Sequence, residues 1–319
     1  MNVISDNVND AFVDVLYMLR HAPVRDSRNG KVKCMMGPSI LSIRHPLQRV
    51  LFNPLRKANP YFHVMETVWM LAGSNDGMWL SQFNKQIQEY CEDDGTINGA
   101  YGHRWLEHFG ENQINWVIEE LNDNWDSRQA VIAMYDPVLD HNPNLRDRPC
   151  NTHIYFRVVN GALDMTVCNR SNDAIWGMLG ANVVHMTYLQ ELVARCLGLS
   201  VGYYHVMTNN LHIYEHHWPL LDNPLPYDHY IQRPDAPYPI LHEGESLRLL
   251  LEECRRFVLA PIPSEMAYTC KWMNNVVVPM HDHYICRLNG DYDTYDMEEN
   301  KAEDWRYAEQ LWRKWHNDD

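Results

Sequence analysis

Apolar residues recur at helical spacing over residues 7–21 (NVNDAFVDVLYMLRH), behind polar capping candidates, so a helix is predicted there. Val24–Lys33 is polar, with two arginines and a glycine, and reads as a loop. Residues 61–73 (YFHVMETVWMLAG) form a strongly apolar helix interrupted by one carboxylate, Glu66, and stopped by Gly73. A further helix is predicted over 112–123 and a strand over Arg128–Tyr135, followed by a Pro- and Asn-rich loop, Asp136–Arg148. Thr152–Val159 and Ala162–Cys168 read as strands joined by Asn160-Gly161, the strongest hairpin signal in the chain. Residues 182–197 form a long apolar helix punctuated by Gly198 and Gly202, and 203–214 alternate like one strand. Six prolines between 219 and 239 read as a long surface connection. A helix at 243–258 follows, and from Asn289 onward the chain is polar and charged. No internal repeat interrupts this order.

Composition narrows the function classes. With 319 residues the chain can build one large core, or one domain with a small appendage. Its net charge is −15 and no Lys/Arg cluster is present. That argues against a nucleic acid polymer as partner, which would need clustered cations to replace phosphate counterions. A small anion is still accommodated, because a few local arginines suffice. The eight cysteines are irregularly spaced and form no CxxC pair, unlike a secreted disulfide scaffold. With no apolar signal core and no membrane-length apolar run, a soluble, reduced, cytoplasmic protein is expected.

The chemistry-bearing residues lie between these elements. Cys150 follows a proline where the irregular loop enters a strand, with Arg146 and Arg148 beside it and Arg170 at the end of the neighbouring strand. Nearby cations can lower a thiol pKa and so activate a nucleophile, although one cysteine among eight is more often a small buried hydrophobe. Arg170 and Ser171 offer a guanidinium and a hydroxyl to a phosphate, and the hairpin returns them towards Cys150. Glu66 is either a buried proton carrier or a polar residue facing solvent. His212 and Tyr214 share one face of a strand and suit a sugar hydroxyl. The remaining histidines, His205, His216, His217, His281 and His283 among them, show no three-ligand spacing, so no metal is expected.

Taken in order, these residues resemble the thymidylate synthases and their pyrimidine hydroxymethylase relatives. Pro149-Cys150 stands twenty positions before Arg170-Ser171-x-Asp173, followed by a glycine, Asn182 and His212-x-Tyr214. Upstream lie Glu66-x-x-Trp69, Tyr101-Gly102-x-Arg104-Trp105 and Asp126-Ser127-Arg128. The resemblance runs from about residue 28 to 217 and fades over 218–319. It implies a single domain spanning 1–319 with an α/β (α+β) three-layer fold, its mixed sheet flanked by helices and packed in a homodimer. It also implies roles. Cys150 adds to C6 of a pyrimidine nucleoside monophosphate. Arg28, Arg170 and Ser171 hold the phosphate, and Arg128 reaches the partner's phosphate across the dimer. His212 and Tyr214 bind the 3′-hydroxyl, and Asn182 reads the base edge. Asp173 binds the pterin of 5,10-methylenetetrahydrofolate, Glu66 orders water and shuttles protons, and Tyr101 assists at C5.

The departures bear on the product. Thymidylate synthases shield the bound one-carbon unit with a tryptophan ahead of the Tyr-Gly motif and with an apolar C-terminal peptide. Here the stretch is Ile87-Gln88-Glu89-Tyr90 and the tail is RKWHNDD. Less shielding favours water over hydride, hence a hydroxymethylase of the kind bacteriophages use on DNA precursors. Asn151, Gln129 and Asn169 replace a family histidine, arginine and glutamine. Asn182 suits uracil, so dUMP is slightly favoured. One extra residue in the turn lets the Ala181 carbonyl meet cytosine instead, so dCMP or CMP stays open. A methylating synthase and a nucleotide- or RNA-binding module are the alternatives.

Overall fold

The computed structural model describes residues 2–222, 230, 237–291 and 297–317. Its strands are β1 (Asn2–Ser5), β2 (Val24–Ser27), β3 (Gly30–Cys34), β4 (Ser39–Ile43), β5 (Val131–Ala133), β6 (Asn151–Val159), β7 (Ala162–Asn169), β8 (Asn172–Asp173), β9 (Ser200–Thr208) and β10 (Leu211–Tyr214). Its α-helices are α1 (Val8–Arg20), α2 (Pro60–Leu71), α3 (Gly77–Ser81), α4 (Tyr101–Leu106), α5 (Gln113–Asp123), α6 (Asn182–Cys196), α7 (Leu247–Leu259), α8 (Val278–Leu288) and α9 (Glu303–Asn317). The chain divides into two compact units. One comprises Met1–Ala58, Ile114–Tyr135 and Cys150–Pro234; the other comprises Asn59–Gln113, Asp136–Pro149 and Asp235–Asp319.

The first unit is the expected α/β arrangement with a mixed sheet, ordered β1-β4-β9-β7-β6-β5. β1/β4 and β7/β9 run parallel and the other neighbours antiparallel. Alternation along each strand sends Leu41, Ile154, Phe156, Met165, Val167, Tyr204 and Val206 to a buried face. α6 packs on β7 and β9, and α1 touches both β4 and β3. Helices therefore lie between this sheet and a second one, ordered β2-β3-β10-β8. α6 buries Glu191 because Arg49 bonds it at 2.7 Å while stacking 3.8 Å above Tyr188. The opposite face of the large sheet is open, with Tyr155, Tyr203 and Met207 each about two-fifths exposed.

His205 lies on that open face, its Nδ1 2.8 Å from Ser42 Oγ. Burial pushes its pKa below the ordinary histidine value, against the opposing pull of Asp164. Burial, followed by the charge of His216, lowers His217 in the same direction. The fold prefers both rings neutral. Their contribution is complete above the free histidine pKa of about 6.5 and is lost as pH falls below it. The melting temperature should therefore decline as pH falls from about 6.5 towards 5, and His205→Gln with His217→Gln should flatten that slope. An unchanged slope in the double variant would refute the assignment.

In the second unit every residue of α2 is buried, enclosed by α4, α7, α8 and α9. Gly102 lets α4 lie directly on α2, since a Cβ there would stand 2.0 Å from the Met70 carbonyl oxygen.

Several expectations are corrected. Val24–Lys33 is a hairpin, β2–β3, held by backbone pairing to β10 with Val32 its one buried apolar side chain. The strand expected over 203–214 is two strands, because the chain leaves one sheet for the other at Asn209-Asn210. Gly202 lies inside β9, where a Cβ would meet Asp164 Oδ1 at 2.2 Å. The strand at Arg128–Tyr135 shrinks to β5. The helix expected from 243 begins at Leu247, capped by Ser246 Oγ on the Leu249 amide. The polar tail contains α9, which buries Trp305, Ala308 and Trp312. The Pro-rich connection falls largely outside the described residues.

Candidate active site

The β6–β7 hairpin turns at Asn160 and Gly161, both at positive φ (50° and 78°), and pairs Asn151 with Asn169 at its far end. That register brings the residues just beyond the ladder together. The Arg170 amide donates to the Cys150 carbonyl at 2.9 Å. Cys150 is partly exposed and forms no disulfide. Burial raises the thiols of Cys34, Cys91, Cys168 and Cys254, Cys196 to about 11 and Cys270 to about 12, so these stay protonated and inert at neutral pH. Arg146 donates to the Cys91 carbonyl at 2.6 Å and pairs with Asp93.

After Arg170 and Ser171 the chain crosses into the second sheet. There β10 pairs with β8 on one side, Asp173 opposite His212, and with β3 on the other, His212 opposite Cys34 and Tyr214 opposite Val32. The rings of His212 and Tyr214 meet edge-on, 5.1 Å apart. Arg28 is exposed at the β2–β3 turn. This small sheet thus gathers Arg28, Asp173, His212 and Tyr214, with Arg170-Ser171 leading into it.

Asp173 accepts from the Ile175 and Trp176 amides at 3.3 and 2.9 Å. These bonds start a π-helical turn, Ala174–Ala181, which leads to Asn182. Asn182 is partly exposed and Ala181 buried. Ala181 has helical backbone angles, which aim its carbonyl along α6. Arg56 was not singled out by the pattern. Its Nε donates to the Ile175 carbonyl at 3.2 Å, and Asp173 favours its charge against the desolvation that lowers its pKa. Only the folded turn puts this cation near Asp173. Arg128 is exposed in the loop before β5.

Glu66 and Tyr101 belong to the second unit. Glu66 is 8% exposed, so the alternative of a solvent-facing carboxylate is set aside. Trp69, one turn on, bonds the Asp76 carbonyl at 2.9 Å. Tyr101 opens α4, half-buried. Among the described residues no cluster of three His, Cys, Asp or Glu side chains could hold a metal.

A thymidylate synthase family model matches residues 24–242. The chain belongs to the thymidylate synthase family. It is 36% identical, over 96% of its own length and 92% of the relative's, to a deoxyuridylate hydroxymethyltransferase of Pseudomonas phage M6. It is 34% identical to the protein of that name from Bacillus phage SP01, covering 64% of this chain and 56% of that one. A putative thymidylate synthase of Methanothermobacter marburgensis is 29% identical over 60% of this chain and 82% of its own. Membership makes the protein a folate-dependent one-carbon transferase acting at C5 of a pyrimidine.

Family membership gives the departures structural meaning. Asn151 and Asn169, which replace a family histidine and glutamine, bond each other through Asn169 Nδ2 and Asn151 Oδ1. Thr208 Oγ donates to Asn169 Oδ1 at 3.2 Å. The two replacements are therefore one coupled change. Where family members carry the shielding tryptophan, Ile87 is buried and Gln88 exposed, its amide bonded to Ser81 Oγ at 3.3 Å. Arg104 of the Tyr-Gly-x-Arg-Trp motif is structural. Fully buried, it forms a bidentate pair with Asp140 at 2.7 and 2.8 Å and donates twice to the Asn98 carbonyl.

Proposed function

We propose that this enzyme transfers the methylene carbon of 5,10-methylenetetrahydrofolate to C5 of dUMP and releases the 5-hydroxymethyl nucleotide. The observation carrying this reading is the convergence of Cys150 with Arg170-Ser171 where β6 and β7 end, next to a sheet bearing Asp173, His212 and Tyr214. The names of the phage relatives support the substrate and the product.

The chemistry follows from what a pyrimidine lacks. C5 is too weak a nucleophile to capture a one-carbon unit. Addition of the Cys150 thiolate to C6 forms a C–S bond and moves an electron pair onto the C5–C4–O4 system. C5 then bonds the methylene carbon. Loss of the C5 proton and of the folate nitrogen leaves an exocyclic methylene on the ring. Water adds to that carbon, and the C–S bond breaks to return the thiolate. No hydride moves, so the folate leaves as tetrahydrofolate. In this chain Arg28, Arg170 and Ser171 hold the phosphate, His212 and Tyr214 the 3′-hydroxyl, and Asn182 the base edge. Asp173 accepts from the pterin, and Glu66 and Tyr101 handle protons and water. The donor set suits a folate, whose pterin N–H groups need an acceptor such as the Asp173 carboxylate.

The likeness to a putative thymidylate synthase keeps methylation to dTMP as the second reading. Tritium release from C5-labelled dUMP, with mass analysis of the product, tests both. Release together with a hydroxymethyl product supports the proposal. A methylated product with stoichiometric dihydrofolate overturns the hydroxymethylase reading, and no release from dUMP, dCMP or CMP overturns the enzyme.

The protein acts as a single functional domain of the host or cell cytoplasm, in a homodimer. The open sheet face, with its stacked His153/Tyr155 and Tyr203/His205 rings, supports packing against a second copy, since paired apolar sheet faces bury each other. Arg128 would then serve the partner's phosphate. Arg128→Ala should raise the KM for nucleotide about tenfold or more without dissociating the dimer. Sedimentation of a fully active monomer would refute the arrangement.

A further inference from the structure

Asn172 stands between Ser171 and Asp173 and is 3% exposed. Its amide donates to the Asn210 carbonyl at 2.9 Å, fixing its place on β8. Its Oδ1 accepts from Asn182 Nδ2 at 3.5 Å, and its own Nδ2 is buried with no protein acceptor among the described residues. A Cβ on Gly177 would lie 2.3 Å from that Oδ1 and 3.5 Å from Asn182 Nδ2. Glycine at 177 therefore leaves the space in which the two carboxamides face each other.

An isolated asparagine can turn its amide over. It can then serve uracil, with N3–H as donor and O4 as acceptor, or cytosine, with N4 as donor and N3 as acceptor. Contact with Asn172 couples that turn to its own carboxamide, so Asn182 no longer turns alone without cost. If Asn182 turned alone, its oxygen would face the Asn172 oxygen, setting two acceptors together in a buried place.

We propose that Asn172 is a positioning residue that holds the Asn182 carboxamide in one orientation, so that the site reads a single base. The functional reading above makes that base uracil, and this inference rests on that reading.

The test is the ratio of kcat/KM for dUMP over dCMP, followed by tritium release, with the ratio of the two dissociation constants measured in parallel by calorimetry. Asn172→Leu removes the acceptor at similar volume and should lower both ratios about tenfold, the scale of one mispaired buried hydrogen-bonding group. Asn172→Asp keeps an oxygen facing Asn182 and should preserve discrimination. If Asn172→Leu does not fold, Asn172→Ala replaces it with the same expectation. Ratios unchanged in the variant lacking the acceptor overturn the proposal, as does an Asp variant that loses discrimination as fully. If the wild-type protein releases tritium from neither nucleotide, the functional reading fails, while the calorimetric ratio still judges Asn172.

Discussion

Cys150→Ala should abolish turnover and leave dUMP binding intact. The expected loss is about 10⁴-fold or more, the scale seen when a covalent nucleophile is deleted. The reason is chemical: without a thiolate at C6, C5 never gains the electron density to capture carbon. The phosphate and sugar contacts proposed above fall on other residues, so calorimetry should find dUMP bound within a few-fold of wild type. Mass spectrometry should find no protein–nucleotide adduct. Retained turnover would reject Cys150 as the nucleophile. Loss of binding together with activity would show that the substitution had disturbed the Arg170 backbone, whose amide bonds the Cys150 carbonyl.

The second large effect is on stability. Arg104 and Asp140 are fully buried and joined by two bonds of 2.7 and 2.8 Å. The same carboxylate accepts from the Asp136 amide and from Asn98 Nδ2, so this pair fastens the Asp136–Pro149 loop that leads to Cys150. Arg104→Leu leaves a buried, uncompensated charge. It should cost about 3–5 kcal/mol, read as a lower denaturant midpoint. Arg104→Leu combined with Asp140→Leu should recover part of the loss, because neither charge then remains buried. A single variant as stable as wild type would show that the pair does not hold the loop.

Legibility in the sequence followed the range of the interaction. The β6–β7 hairpin was readable because Asn160-Gly161 both tolerate positive φ. The order of Cys150, Arg170-Ser171-x-Asp173 and His212-x-Tyr214 then carried the family. The β2–β3 hairpin was not readable, since its stability comes from pairing with β10, far along the chain. α9 was hidden because its buried tryptophans stand among charges and look like a polar tail until α2 covers them, as Trp312 does against Tyr61 at 5.3 Å.

The sequence alone carried the family and its one-carbon chemistry, and it named Cys150, Arg170-Ser171 and His212-x-Tyr214 as the candidates for nucleophile, phosphate and sugar contacts, because these depend on residue identity and on spacing within short segments. It also showed the departures at 151 and 169 as two separate changes. Only the tertiary structure made them one bonded pair, buried Glu66, turned Arg104 into a structural clamp, brought Arg56 to Asp173, and set Asn172 against Asn182. Each of those depends on which distant strands and turns meet, and strand pairing is decided by burial and backbone hydrogen bonding across the whole fold rather than by local pattern.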